Sequence, residues 1–189
     1  MNAHTTHHHL FDTAIGECGI AWSPRGLVGV QLPEKDRGQT ELRLAVKCHS
    51  TSADDAPPWI QSVISDIQRY LAGQPVDFSS IEVDLGGIDE FRQKLYAALR
   101  AIGFGCTVTY GELAKQLGLT SWEGARDVGE AMGKNPVPVV IPCHRVLAAG
   151  NKPGGFSAYG GVTTKQKLLA LEGVRLVEAT DAPPRLPGL

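Results

Sequence analysis

Asn135-Pro-Val-Pro-Val-Val-Ile-Pro-Cys-His-Arg-Val146 constrains this chain more than any other stretch. Pro136, Pro138 and Pro142 each lock a backbone torsion, and the β-branched residues between them have few rotamers, so an extended, rigid run is expected to hold Cys143 in place. His144 follows directly. A free thiol is mostly protonated at neutral pH, so a nucleophilic cysteine needs a base or a positive field, and His144 with Arg145 offers both. Adjacent side chains diverge, which predicts that His144 reaches the sulfur through a water. The competing reading is a buried, inert thiol beside a solvated imidazole.

The other cysteines frame this one. Cys18, Cys48, Cys106 and Cys143 are separated by 30, 58 and 37 positions, with no Cys-x-x-Cys pair and no dense disulfide framework. Reduced thiols, and hence a cytoplasmic location, are expected. No apolar run reaches the roughly 18 residues of a membrane helix, and residues 1–10 are polar and histidine-rich, unlike a secretion signal. With 189 residues, the chain suits one large domain or two small ones.

Charge divides it. Residues 1–90 carry 6 Lys and Arg against 13 Asp and Glu, whereas residues 91–175 carry 11 against 5, although the whole chain is only −2. A basic half joined to an acidic half suits one face meeting a polyanion; two ordinary solvated surfaces would give the same count.

In the acidic half, two apolar runs flank Ser23-Pro24-Arg25-Gly26, which predicts a β-hairpin over Cys18–Leu32. Glu41–His49 is open between strand and short helix, and Ser50–Pro58 reads as a loop. Trp59, Val63, Ile67, Tyr70 and Leu71 recur at helical spacing before Gly73. Val76–Leu85 alternates like a strand. The expectation is a small domain with an antiparallel sheet over residues 10–86, after a flexible tail at 1–9.

Gly86-Gly87 marks the boundary to a second domain, 87–175, followed by a tail at 176–189. Phe91, Leu95, Ala98, Leu99 and Ile102 form a helical stripe beginning at Asp89 and stopping at Gly103. Thr109 is a helix N-cap ahead of Glu112–Leu117, and Ser121 an N-cap ahead of a helix reaching Gly133, with an acid in its first turn. Two short helices joined by a Gly-Leu-Thr-Ser turn make a helix-turn-helix candidate. Gly124, Ala125, Gly129, Ala131 and Gly133 strip the second helix of bulk, at a cost to its stability. It is suited either to tight helix packing, with Arg126 paired to Asp127 or Glu130, or to lying in a DNA minor groove with Arg126 entering the base stack.

Residues 135–146 resemble the active-site signature of the O6-alkylguanine-DNA alkyltransferases. Thr107-Val-Thr-Tyr-Gly-Glu-Leu-Ala114 is similar to that family's first helix-turn-helix segment, Gly124-Ala-Arg-Asp-Val-Gly-Glu-Ala-Met132 to its recognition helix, and Lys167-Leu-Leu-Ala-Leu-Glu-Gly173 to its closing helix. The resemblance spans 89–173 and extends loosely over the first 85 residues. It implies an α+β protein, with a ribonuclease H-like N-terminal domain and a mostly helical, winged helix-turn-helix-like domain that binds DNA and carries the active site.

The resemblance also implies roles. Cys143 would accept the alkyl group from O6-alkylguanine, or from O4-alkylthymine, once and irreversibly. His144 would act as base through water, with Glu172 orienting it. Asn135 would brace the turn between recognition helix and active-site strand. Tyr110 would rotate the target phosphate and give a proton to the leaving base. Arg126 would fill the gap left by the flipped base, with Tyr110, Gly111, Ala125 and Gly129 at the DNA. Met132, Pro138, Val146, Ser157 and Tyr159 would line the pocket, and the Cys143 and Val146 carbonyls would accept from the guanine amino group. Base flipping fits the chemistry, because the alkyl carbon is unreachable inside the duplex. No metal or organic cofactor is implied, and the expected partner is double-stranded DNA, read without sequence preference by a monomer.

The chain departs from the family at its lid. The family carries Tyr and a small residue where Ala158 and Tyr159 stand, and the 150–156 loop is about two residues longer here. Other readings are zinc held by His7, His8, His9, Cys18, Cys48 and His49, whose spacing matches no standard finger; a lesion-binding protein without an acceptor thiol; a Cys-His hydrolase; and a DNA-binding regulator.

Overall fold

The computed structural model describes residues 5–119, 121 and 123–176. The first half is a sheet with two helices. Strands β1 (His7–Thr13), β2 (Gly16–Ser23) and β3 (Gly26–Gln31) form an antiparallel meander, and β4 (Thr51–Ser52) adds to β1 in parallel, in the order β3-β2-β1-β4. The expected hairpin over Cys18–Leu32 is β2–β3, with a bulge at Ala21/Trp22.

Three expectations change here. His7–His9 belong to β1 and pair with Ile20–Trp22, so they are no flexible tail; Leu10 and Phe11 bury the same strand. Residues 1–4 and 177–189 lie outside the described residues. The open segment at 41–49 is part of helix α1 (Arg37–Cys48), whose N-terminus Asp36 caps by accepting from the Gln39 N–H at 2.9 Å. Val76–Leu85 is not a strand. Its carbonyls at Phe78, Ser79 and Ile81 bond to one Arg100 guanidinium nitrogen at 3.1, 2.8 and 2.7 Å, and only Leu27↔Val83 bridges it to the sheet. That strap and the Pro136 carbonyl, which accepts from the Val30 N–H at 3.0 Å, cover the otherwise open β3 edge.

Helix α2 (Pro58–Leu71) buries Ile60, Val63, Ile67, Tyr70 and Leu71. The second half is mostly helical: α3 (Glu90–Arg100), α4 (Tyr110–Gln116), α5 (Gly124–Gly133) and α6 (Val162–Leu171), with a two-stranded parallel pairing of β5 (Val108–Thr109) and β6 (Val146–Leu147). Thr109 and Glu112 form the reciprocal capping box of α4. Helix α5 starts later than expected: Glu123 occupies its N-cap position without a side-chain cap bond, and Ser121 lies outside it. Thr120 and Trp122 of the connecting turn fall outside the described residues.

One apolar core runs through both halves, from Ile20 and Ile67 to Leu95, Val137 and Val146. The site therefore rests on a single packed body.

Candidate active site

The proline-rich run is a tight turn, not the extended segment expected. Asn135, 6% exposed, clamps it: its Oδ1 accepts from the Val137 N–H at 3.0 Å and its Nδ2 donates to the Ile141 carbonyl at 2.8 Å. The Ile141 N–H closes back on the Val137 carbonyl at 2.8 Å. The loop so drawn in places Val139 at φ +77°, a region β-branched residues avoid. The same Asn135 Nδ2 donates to Cys143 Sγ at 3.2 Å. Cys143 begins a 3₁₀ turn, Cys143–Arg145, that leads into β6.

His144 is fully buried. Its Nε2 lies 2.8 Å from Glu172 Oε1 and 2.9 Å from the Tyr70 hydroxyl, which itself donates to Glu172 Oε1 at 2.6 Å. Nε2–H donating to the carboxylate leaves Nδ1 as the lone-pair nitrogen, and Nδ1 has no protein partner. No hydrogen bond joins His144 to Cys143 among the described residues, in keeping with diverging side chains. Glu172 is the hub: it also accepts from Arg145 Nε at 3.0 and 3.1 Å and from the Gly105 N–H at 2.9 Å.

Arg145 is thus not the positive field of the thiol. Its guanidinium is turned to Glu172 and to the Ile102 carbonyl. The cations that act on Cys143 are Lys165 and Lys47. Lys165, with no exposed surface, hydrogen-bonds the Val146 carbonyl and, at 3.4 Å, the Gly155 carbonyl, with its Nζ 5.6 Å from the centre of the Tyr110 ring.

Burial sets the resting protonation. It pushes the Cys143 thiol above its ordinary range, against smaller opposing effects of the Asn135 bond and the Lys165 charge. It depresses His144 despite Glu172 and lowers Lys165 to about 8. Burial raises Glu172 too, but the bonds from His144, Arg145 and Tyr70 outweigh it and hold the carboxyl at about 2. The resting site is a thiol, a neutral imidazole and an ionised carboxylate.

Cys143 stands in the wall of a pocket of about 660 Å³, which Tyr110, Arg126, Gly129, Met132 and Ser157 also line. Arg126 is exposed and lies 3.3 Å from Glu123 and 4.0 Å from Asp127, and its charge also acts on Glu130. Ala125 and Gly111 are on the same two helices. The small residues of α5 divide between the two readings. A Cβ at Gly124 would come within 2.8 Å of Leu119 Cβ, so that glycine serves the α4–α5 contact, whereas at Gly129 it would meet Tyr110 at an ordinary 3.5 Å.

Pro138 lines a second, smaller cavity together with Cys143, Ser157 and Ala158. Two of the expected pocket residues lie elsewhere. Val146 is buried in the core, and its carbonyl already accepts from Lys165. Tyr159 points outward, 52% exposed, while Ala158 lines the smaller cavity. The six residues of the zinc reading are not gathered: among the described residues no three His, Cys, Asp or Glu side chains converge on a metal position.

Sequence reasoning missed Tyr70, Lys165 and Lys47. Tyr70 sits in an apolar stripe where it looks like any core aromatic. Lys165 had a signal: with Leu168, Leu169 and Glu172 it forms an i, i+3, i+4, i+7 face, and a lysine in a buried stripe needs a reason.

The Asn135 clamp, the His144–Glu172 pair and the α4–α5 helices all fall in one of two segments that match one known family. Residues 90–174 match the 6-O-methylguanine DNA methyltransferase DNA binding domain, and residues 6–85 match the ribonuclease-like domain of the same family. The chain belongs to the 6-O-methylguanine DNA methyltransferase family. It is 39% identical over 153 residues to a methylated-DNA–protein-cysteine methyltransferase of Mycolicibacterium paratuberculosis, covering 79% of this chain and 88% of that one. A Methanothermobacter thermautotrophicus enzyme of the same name is 34% identical, covering 85% and 81%. A crystal structure of Mycobacterium tuberculosis OGT in complex with DNA superposes with a TM-score of 0.72 at 32% identity, over 88% of this chain and 92% of that one. The chain is accordingly an enzyme of the methylated-DNA–protein-cysteine methyltransferase class.

Proposed function

We propose that this protein repairs double-stranded DNA by moving the alkyl group of a flipped-out O6-alkylguanine, or of O4-alkylthymine, onto Cys143, once per molecule. The observation that carries the reading is Cys143 itself, held by Asn135 at 3.2 Å in the wall of a base-sized pocket and followed by a histidine bonded to a carboxylate at 2.8 Å.

The proton of the Cys143 thiol passes through a water to His144 Nδ1, and Glu172 stabilises the imidazolium through Nε2. The sulfur lone pair forms the S–C bond as the C–O6 bond breaks, and that bond's electron pair goes to guanine. Tyr110, over the pocket, gives the leaving base a proton at N3, and the Lys165 cation beside the ring stabilises the phenolate left behind. Asn135 donates to the sulfur throughout. The product is a thioether, which has no easy route back to thiol, so each molecule reacts once.

Helix α5 carries the DNA contact in this reading. Arg126 enters the stack in place of the flipped nucleotide, and Gly129, Ala125 and Gly111 allow the backbone to approach the minor groove. Phosphate contacts dominate, so affinity falls steeply with salt and varies little with sequence. A monomer acting in the cytoplasm suffices. The test is duplex containing one O6-methylguanine mixed with the protein in equal amount, with the guanine and the protein both analysed. Restored guanine with one methyl on Cys143 supports the reading; tight binding with an unaltered lesion replaces it by damage sensing.

A further inference from the structure

Cys143 is shared by two cavities. Besides the base-sized pocket of about 660 Å³, it lines one of about 120 Å³, and Gly133, Phe156 and Ser157 also belong to both. In an in-line displacement the sulfur, the reacting carbon and O6 lie on one axis, so whatever the carbon carries must project sideways from that axis. With the base in the large cavity, the space beside the axis is the small one.

The far wall of that small cavity comes from the N-terminal half, and it is basic. Arg43 and Lys47, one turn apart on α1, line it, and no carboxylate does. Their charges are not equivalent. Arg43 is matched by Glu34 at 3.0 Å. Lys47 bonds only neutral oxygens, the Asn135 and Pro136 carbonyls, each at 3.2 Å, and has no carboxylate partner among the described residues. Its charge acts on Cys143. A cation in this wall favours the thiolate whatever the substituent, but only a substituent that carries an anion gains a direct partner from it.

Building on the proposed alkyl transfer, we propose that the small cavity selects O6 substituents ending in a carboxylate, of which carboxymethyl is the shortest, and that Lys47 is the residue that recognises them. Such a substituent would otherwise be repelled by the developing thiolate and by Glu172. Lys47 offsets that repulsion from the opposite wall. The step balances as for methyl: the Cys143 sulfur bonds the methylene carbon, the C–O6 bond breaks with its electrons going to guanine, the thiol proton is taken by His144, and the product is S-carboxymethylcysteine.

The experiment compares single-turnover transfer from duplexes carrying O6-carboxymethylguanine and its neutral isostere, O6-carbamoylmethylguanine, with O6-methylguanine alongside, read by protein mass. The readout is the carboxymethyl-to-carbamoylmethyl rate ratio within each protein, which cancels any general effect of a substitution. Lys47→Met is expected to lower that ratio about tenfold, and Lys47→Arg to restore it. A ratio that Lys47→Met leaves unaltered, or that falls equally in Lys47→Arg, overturns the proposal while methyl transfer keeps the parent reading intact. No methyl transfer by the wild-type protein overturns both.

Discussion

Tyr70 of α2 donates its hydroxyl to Glu172, just beyond α6, across 2.6 Å, although 102 positions separate them. The bond ties the N-terminal half to the proton relay, because the same hydroxyl lies 2.9 Å from His144 Nε2. In the proposed mechanism the N-terminal half therefore supplies a residue that touches the His144–Glu172 pair. Tyr70→Phe keeps the ring packing and removes only the hydroxyl, with its contacts to Glu172 and His144. It should lower stability by about 1–2 kcal/mol and slow methyl transfer, with binding to undamaged duplex unchanged. Chemical denaturation and single-turnover rates check the two halves; a normal rate would remove Tyr70 from the relay.

The rate of transfer should depend on pH in two opposite ways. Burial keeps Cys143 a thiol at neutral pH, so the rate rises as the solution becomes more basic. Lys165, lowered to about 8, loses its charge above that point and ceases to favour the thiolate. The expected profile climbs towards pH 8 and then levels or falls. Lys165→Met should be slower throughout and lack the break; a break that survives in the variant belongs to another group.

Acid should unfold the protein in two phases. His144 has a depressed pKa, so below about 6.5 the unfolded chain takes up a proton that the folded one refuses, and stability declines. Glu172, held at about 2 against an ordinary 4.5, contributes stability fully above the ordinary value and loses it as pH falls from there towards 2. Glu172→Gln should shrink the second phase, leaving the part due to other lowered carboxyls such as Asp84. Thermal melts between pH 7 and pH 2.5 would show it, and an unchanged lower phase would assign it to other carboxylates.

Gly124 and Gly133 bracket α5 and should respond oppositely to alanine. At Gly124 the new methyl meets Leu119 Cβ at 2.8 Å and its carbonyl at 3.1 Å, so packing loses about 1–3 kcal/mol, more than helix propensity returns. At Gly133 nothing lies within 4 Å, so the change should stabilise by about 0.5–1 kcal/mol. Equal effects at both sites would contradict the close α4–α5 approach.

Arg126→Ala should weaken repair of the lesion in duplex DNA while leaving the reaction of Cys143 with free O6-benzylguanine unchanged. Loss of both activities would place Arg126 in the chemistry rather than at the DNA.

What was legible in the chain followed local physics. The hairpin turn at Pro24 and Gly26, the stripe of α2 and the Thr109 N-cap are set within a few residues, and the structure contains each. The failures are tertiary. The proline run was read from its torsions alone, yet Asn135 bends it by bonding both ends. Val76–Leu85 alternates as strands do, but it meets β3 only around Leu27, and its Phe78, Ser79 and Ile81 carbonyls go to Arg100 instead. Arg145 was read by its nearness in sequence to Cys143, whereas the carboxylate of Glu172 claims it. Cys143 and His144 stand out from their own residues and Glu172 only from the resemblance, and nothing in the spacing reveals that Tyr70 reaches the His144–Glu172 pair, or Lys47 the Asn135 carbonyl, from another domain.

The most direct test of the central claim is intact-protein mass spectrometry, with peptide mapping, after incubation with excess duplex bearing a single O6-methylguanine. The account predicts a gain of one methyl group per molecule, located on Cys143, one restored guanine for each protein consumed, and no further repair. An unmodified Cys143 beside a repaired guanine, or more guanines repaired than protein present, would contradict it.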